Sequence, residues 1–253
     1  MKQPVIIALI TMGFFGRLFG GTDHEQRKVK IQEHESQAPS QEALDRKKRS
    51  VTFLKQNGVP TTDNLPVIED KSSVEIRQPL EIAQRLVSCT ICAVGGETGD
   101  RALVRRLLLD FQAGDLLSPN EKAFIETKID VQQDRIQFSW QYERSWVLLW
   151  ALGYIEKLEY PPKICEVPKL VDIIKGRSIA QIVREAKPRS RREILDEADL
   201  IYRLHWAVVE QRVNGKIEVP REVEKGVVQE RHAALNWLIG YMGQTWDDVS
   251  TDT

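Results

Sequence analysis

The stretch Phe138–Leu158, FSWQYERSWVLLWALGYIEKL, decides the fold. At about 100° per residue, Tyr142, Trp146, Leu149, Trp150 and Gly153 share one helical face. Val147 and Ala151 flank that face, and Leu148 and Leu152 lie opposite. A helix apolar nearly all round is a buried core helix or a membrane span. A span needs about 20 apolar residues. Here the longest unbroken apolar run is Val147–Leu152, between Glu143 and Arg144 on one side and Glu156 and Lys157 on the other. The stretch therefore reads as a central core helix with neighbours on most sides, ended by Tyr160-Pro161-Pro162. It carries Trp140, Trp146 and Trp150, and each buried Trp withdraws about 200 Å² from water. Glu143 falls on the face of Trp146 and Trp150. Its carboxylate must be neutral, paired or at a cavity wall.

Two further helices match it in length. Ser190–Val213 starts at Ser190, with Glu193 completing a capping box, and stops at Asn214-Gly215. Ile194, Ala198, Ile201, Tyr202, His205, Val208 and Val209 form its main apolar face, with Asp196, Asp199, Arg203 and Glu210 on a narrow polar strip. Glu222–Gly243 buries Val227, Ala234, Leu235, Leu238 and Met242. Arg231 lies in the middle of that face, and Glu230, His232 and Asn236 lie to either side.

Shorter helices are expected elsewhere. One runs through Val51, Phe53 and Leu54 after the basic run Arg46–Arg49, which reads as a solvated face. Another begins at Pro79 and carries Cys89-Thr90-Ile91-Cys92. A CxxC can be a redox pair or half a zinc site. Redox pairs sit at helix N-termini, whereas this one lies about three turns in among Leu86, Val87, Ile91 and Val94, so it reads as buried small residues. Gly95–Gly99 reads as a turn and Asp100–Gln112 as a helix. Ser118-Pro119-Asn120-Glu121 caps a helix through Ile129. Val167–Lys175 and Ile179–Ala186 complete the set. No strand-like alternation, repeat or phosphate loop is present. The expected fold is all-α, a single irregular multi-helix bundle around the Trp-rich helix.

The N-terminus divides from this domain by composition. Lys2 and Val5–Phe15 resemble the charged and apolar parts of a signal peptide, but Arg17 interrupts them and no A-x-A-like site follows. The run is too short to span a membrane, and translation from Met12 would give MGFFGRLFGG. The expected organisation is an apolar extension at 1–21, a polar linker at 22–40 and an all-α domain at 41–253. A cytoplasmic protein is the expectation, with export or membrane anchoring through residues 1–21 as the alternative. Three cysteines do not form a secreted disulfide framework. A net charge of −1 argues against a nucleic-acid binder. The basic cluster Lys187, Arg189, Arg191 and Arg192 has no aromatic platform.

Four blocks carry a resemblance: WQYERSWVLLWALGY from Trp140, EILDEADLIYRLHWA from Glu193, ERHAALNWLI from Glu230 and WDDVSTDT from Trp246. In this order they resemble the domain of unknown function 4272, an uncharacterised bacterial helical family, from about Arg46 to Thr253. The resemblance implies one helical domain and no activity. Family members commonly carry Arg where this chain has Gln141.

The residues able to carry chemistry are Glu143, Asp199, His205, Glu230, Arg231 and His232, with Asp196, Asn236, Asp247 and Asp248 beside them. Such types serve acid–base or metal-assisted hydrolysis. The Glu-x-x-His spacing of bundle-core metal sites is missing. Glu230 and His232 are two apart and point away from each other. No H-E-x-x-H or G-x-S-x-G is present, and no cofactor or metal is expected. Two functions follow. A non-catalytic interaction or scaffold domain, with an unknown protein or small-molecule partner, would seal these groups in a buried ionic network, with Arg231 paired to Glu143, Asp196 or Asp199. A hydrolase-like or metal-binding enzyme would line one open pocket with Glu143, Asp199, His205 and His232.

Overall fold

Ten α-helices and two short 3-10 turns make up a computed structural model that describes residues 38–127 and 129–253, with no strand among them. The apolar segment at 1–21 and most of the linker expected at 22–40 lie outside the described residues. The helices are α1 (Gln41–Gln56), α2 (Pro79–Thr98), α3 (Arg101–Asp110), α4 (Pro119–Glu126) and α5 (Gln132–Ser139). They continue as α6 (Gln141–Ala151), α7 (Val167–Ile174), α8 (Ile179–Glu185), α9 (Arg191–Asn214) and α10 (Lys225–Leu238). Ser40–Thr253 forms one compact unit.

Two helices share the centre. α6 packs on α2, α10, α7 and α5, while α2 touches α3, α4, α5, α6 and α8. The sequence of α2 explains its reach. Ala83, Ser88, Cys89, Cys92, Ala93, Gly95 and Gly96 are small and buried, so neighbouring backbones come close. A Cβ on Gly96 would sit 2.5 Å from the Arg135 carbonyl oxygen and 2.6 Å from the Ser139 nitrogen, on α5. The Gly95–Gly99 segment expected to be a turn is therefore mostly helix, and α2 ends at Gly99 with φ +64°. Cys89 and Cys92 are free and buried in mid-helix, and burial pushes the Cys89 thiol up to about 12.

The central helix is shorter than its apolar run. It begins at Gln141 after a break at Trp140, because α5 carries Phe138 into a stacked contact with Phe124. It stops at Ala151 rather than at the prolines. Gly153 has φ +83°, and a Cβ there would lie 2.1 Å from the Lys187 carbonyl oxygen. The backbone N–H groups of Lys187 and Arg189 donate to Leu152 and Ala151 carbonyls at 2.9 Å. Trp146 and Trp150 are buried, and Trp140 is half-buried against Gly226 at the start of α10.

The capping signals of α9 hold at both ends. The Ser190 hydroxyl accepts from the Glu193 N–H, and Gly215 has φ +61°. α10 ends five residues earlier than expected, where Gly240 takes φ +67° and the Arg77 N–H donates to the Leu238 carbonyl at 3.1 Å. Met242, expected on the buried face, is exposed. α1 begins at Gln41, capped by Ser40. Only half of its basic run is a solvated face: Lys48 and Arg49 are exposed, but Arg46 is fully buried and donates to the Ile68 and Glu69 carbonyls, and Lys47 Nζ donates to those of Asp63 and Leu65. A cationic side chain can be buried when backbone carbonyls of a polar loop meet its donors.

Candidate functional site

Helices α6, α9 and α10 carry the six candidate residues inward and divide them among separate clusters. On α9, Asp199 and Arg203 are fully buried and bidentate, at 2.9 and 2.7 Å. The spacing of four residues places both on one helical face. Arg203 Nη2 also donates to the Pro66 carbonyl at 3.0 Å, so this pair holds the loop between α1 and α2. Asp196 is bound by Arg49 at 2.6 Å, near the surface. Glu230 pairs with Arg144, whose guanidinium lies 5.4 Å from the Trp246 ring centroid.

His205 and His232 meet edge to face, with Nδ1 of one 2.8 Å from Nδ1 of the other. Their protonation follows from the next residue along. Asn236 Nδ2 donates to the Ser250 carbonyl at 2.9 Å, which fixes that atom as the amide nitrogen. It also lies 3.1 Å from His232 Nε2, which must accept. His232 therefore carries its proton on Nδ1 and donates to His205 Nδ1, leaving the His205 proton on Nε2. Burial pulls His205 down to about 4 and His232 to about 3, and nearby Arg212 and the facing imidazole act in the same direction. Both rings are neutral at pH 7, and the chain of bonds ends on the C-terminal tail.

Glu143 and Arg231 serve a third place, the loop joining α6 to α7. Glu143 Oε1 accepts the Cys165 N–H at 2.6 Å. Arg231 donates to the carbonyls of Glu159 at 2.9 Å and Lys163 at 3.3 Å. Arg231 makes no direct ion-pair contact, since Asp199 is committed to Arg203, Asp196 to Arg49 and Arg192, and Glu143 to the Cys165 amide, but Glu143 and Arg231 lie close enough for their charges to attract. Glu143 Oε2 is sealed without a donor, and burial raises its carboxyl pKa. Glu197 belongs to the same region and was not singled out. Burial pushes it up to about 7 against the pull of Arg231. The signal was present, since Glu197 stands three residues after Ile194 and four before Ile201 on the apolar face.

The tail forms a fourth cluster. Trp246 is buried edge to face on Trp237 at 5.2 Å, with the Arg85 guanidinium 5.0 Å from its ring. Asp247 accepts from the Ser118 hydroxyl at 2.6 Å and the Asn120 N–H at 2.9 Å, meeting the positive end of α4. Glu121, read only as a capping residue, is fully buried and paired with Arg85. Asp248 is exposed and takes the Thr245 hydroxyl at 2.6 Å. Three members of the basic cluster at 187–192 are also committed: Arg189 donates to the Ile155 and Glu156 carbonyls, Arg191 to that of Lys71, and Arg192 pairs with Asp196, while Lys187 is exposed.

None of the six candidates lines either of two surface clefts. One cleft opens between Gly99, Val104, Phe124, Ile129 and Arg135; the other opens between Arg77, Arg85, Trp237 and the tail. Among the described residues, no group of three or more His, Cys, Asp or Glu is placed to hold a metal ion. No helix among them is long and apolar enough to cross a membrane.

Fold and site together define an all-α domain whose interior polar groups hold its loops and tail. The chain belongs to the family described as domain of unknown function (DUF4272), whose model matches residues 46–249. No curated protein and no solved structure matches the chain.

Proposed function

We propose that this is a non-catalytic helical interaction or scaffold domain of a bacterial cytoplasmic protein. One observation carries the reading. Glu143, Asp199, His205, Glu230, Arg231 and His232 are divided among clusters that each hold backbone, a partner helix or the tail. A general acid or base must reach a proton on its substrate. Asp199 and Arg203 are turned on each other and on Pro66, and the histidines on each other and Asn236. Three buried free cysteines suit a reducing compartment.

Elemental analysis of the full-length protein after gel filtration tests the reading. The expected result is no stoichiometric divalent ion, and full-length protein in the soluble fraction of the native cell. A divalent ion retained at one equivalent, lost in His205→Gln and His232→Gln variants that still fold, would overturn it in favour of a metal-dependent enzyme.

A further inference from the structure

We propose that the cleft bounded by Arg77, Arg85, Trp237 and the C-terminal tail binds a small molecule carrying a phosphate or carboxylate group. This goes beyond the scaffold reading, because an oxyanion can be held there without being changed. The cleft is open to solvent and has a volume of about 400 Å³, within the size range of small-molecule sites. Its walls come from the entry to α2, the start of α4, the end of α10 and the tail.

The donors on its walls are mostly committed already. The Ser118 hydroxyl donates to Asp247, the Thr245 hydroxyl donates to Asp248, and Gln244 is locked with Ser250. The Asp247 carboxylate is met by Ser118 and the Asn120 N–H. The Trp246 indole N–H is sealed without a partner, and two guanidinium ends remain. Arg85 gives Nη2 to Glu121 and Ser88, while its Nη1 has no hydrogen-bond partner among the described residues. The residue is nine-tenths buried and lines the cleft. Arg77 gives Nε to the Trp237 carbonyl at 3.3 Å and forms a loose ion pair with the exposed Glu81 through Nη1 at 3.6 Å, which leaves Nη2 for the cleft.

Both cations are also held in place. Arg77 lies 5.1 Å from the Trp237 ring centroid and Arg85 5.0 Å from that of Trp246, and the two indoles meet at 5.2 Å. Cation–π contacts fix the guanidinium planes without using their N–H donors. Two preset guanidinium ends facing one concave space are suited to the planar or tetrahedral oxygens of a carboxylate or phosphate.

The test is calorimetric titration of the full chain with inorganic phosphate and, separately, citrate at low ionic strength, with Trp fluorescence as a second readout. One saturable site is expected for at least one probe, and the tighter probe identifies the oxyanion. Arg77→Gln should weaken it about tenfold. Arg106→Gln, an exposed arginine on α3 outside the cleft, should leave it unchanged. No saturable binding of either probe, or equal weakening by both variants, overturns the proposal. Should Arg77→Gln fail to fold, phenylglyoxal labelling of the unaltered protein replaces it. The bound probe should then shield Arg77 while Arg106 keeps reacting, and equal labelling of Arg77 with and without the probe overturns the site.

Discussion

Glu143 and Arg231 grip one loop from two different helices without a direct contact, each within reach of the other's charge. Glu143 on α6 takes the Cys165 N–H, and Arg231 on α10 reaches the carbonyls of Glu159 and Lys163, six and two residues earlier. Loops cannot meet their own backbone polar groups when they run against a core. A buried carboxyl supplies an acceptor and a buried guanidinium supplies donors, so the chain uses one of each. The buried groups that hold the loop before α2 are guanidinium donors alone, from Arg46 and Arg203.

The tail prediction separates two neighbouring aspartates. Asp247→Ala removes the acceptor for Ser118 and Asn120 and should cost about 1–2 kcal/mol. Asp248→Ala, at an exposed side chain, should stay within about 0.5 kcal/mol. Trp246→Ala should cost about 3–5 kcal/mol, since it empties the space between Trp237 and Arg85. Urea denaturation of the three variants gives the ranking. Equal effects of Asp247→Ala and Asp248→Ala would contradict the docking described.

The histidine pair sets a pH dependence. Both folded-state pKa values lie below the ordinary value near 6.5, at about 4 for His205 and about 3 for His232. The unfolded chain binds protons more readily there, so the pair's contribution is present above about pH 6.5 and lost as pH falls through 4 to 3. Half-buried Glu197, raised to about 7, acts in the opposite direction between pH 7 and its ordinary range. The comparison that isolates the imidazoles is wild type against His232→Gln, whose stability difference should shrink from pH 7.5 to 5. Nitrogen-15 NMR should show His232 as the Nδ1–H tautomer and His205 as the Nε2–H tautomer, with neither titrating above pH 5. A pKa near 6.5 for either ring would refute the buried chain of bonds.

Glycine substitutions test the close crossings. Alanine is favoured over glycine in a helix interior by about 1 kcal/mol. Gly96→Ala should nevertheless destabilise by about 2 kcal/mol or more, because the new Cβ meets α5 backbone at 2.5 Å. Gly153→Ala combines a left-handed φ with contact on the Lys187 carbonyl and should be worse. Thermal unfolding decides it, and a raised Tm for Gly96→Ala would mean that the helices do not cross so closely.

What the sequence disclosed follows from how local each cause is. Both ends of α9 are written in Ser190, Glu193 and Gly215, which act within a few residues. The start of α4 is equally local in Ser118 and Glu121. The apolar girth of Val147–Leu152 declared a core helix. Its end did not, because Gly153 turns left-handed to accommodate Lys187, more than thirty residues on. Arg46 read as surface because Glu42, one turn earlier, is a surface-type partner, whereas the groups that bury it are carbonyls of a separate loop, and carbonyls leave no mark on a sequence. Glu143 and Arg231 were recognisable as buried charges from their apolar faces, but their partners are backbone too. The cleft was not legible, since it depends on the tail returning to α2 and α4.

The most direct test of the account compares Arg231→Met, Glu143→Met and the double variant by equilibrium denaturation. Each single change removes a hold on the loop at 159–165 and should cost about 1–3 kcal/mol. If both residues fasten that loop, the double variant should be less stable than either single one. If instead they form a buried ion pair, removing the second charge should restore much of what the first removal lost. A double variant more stable than Arg231→Met alone would contradict the account.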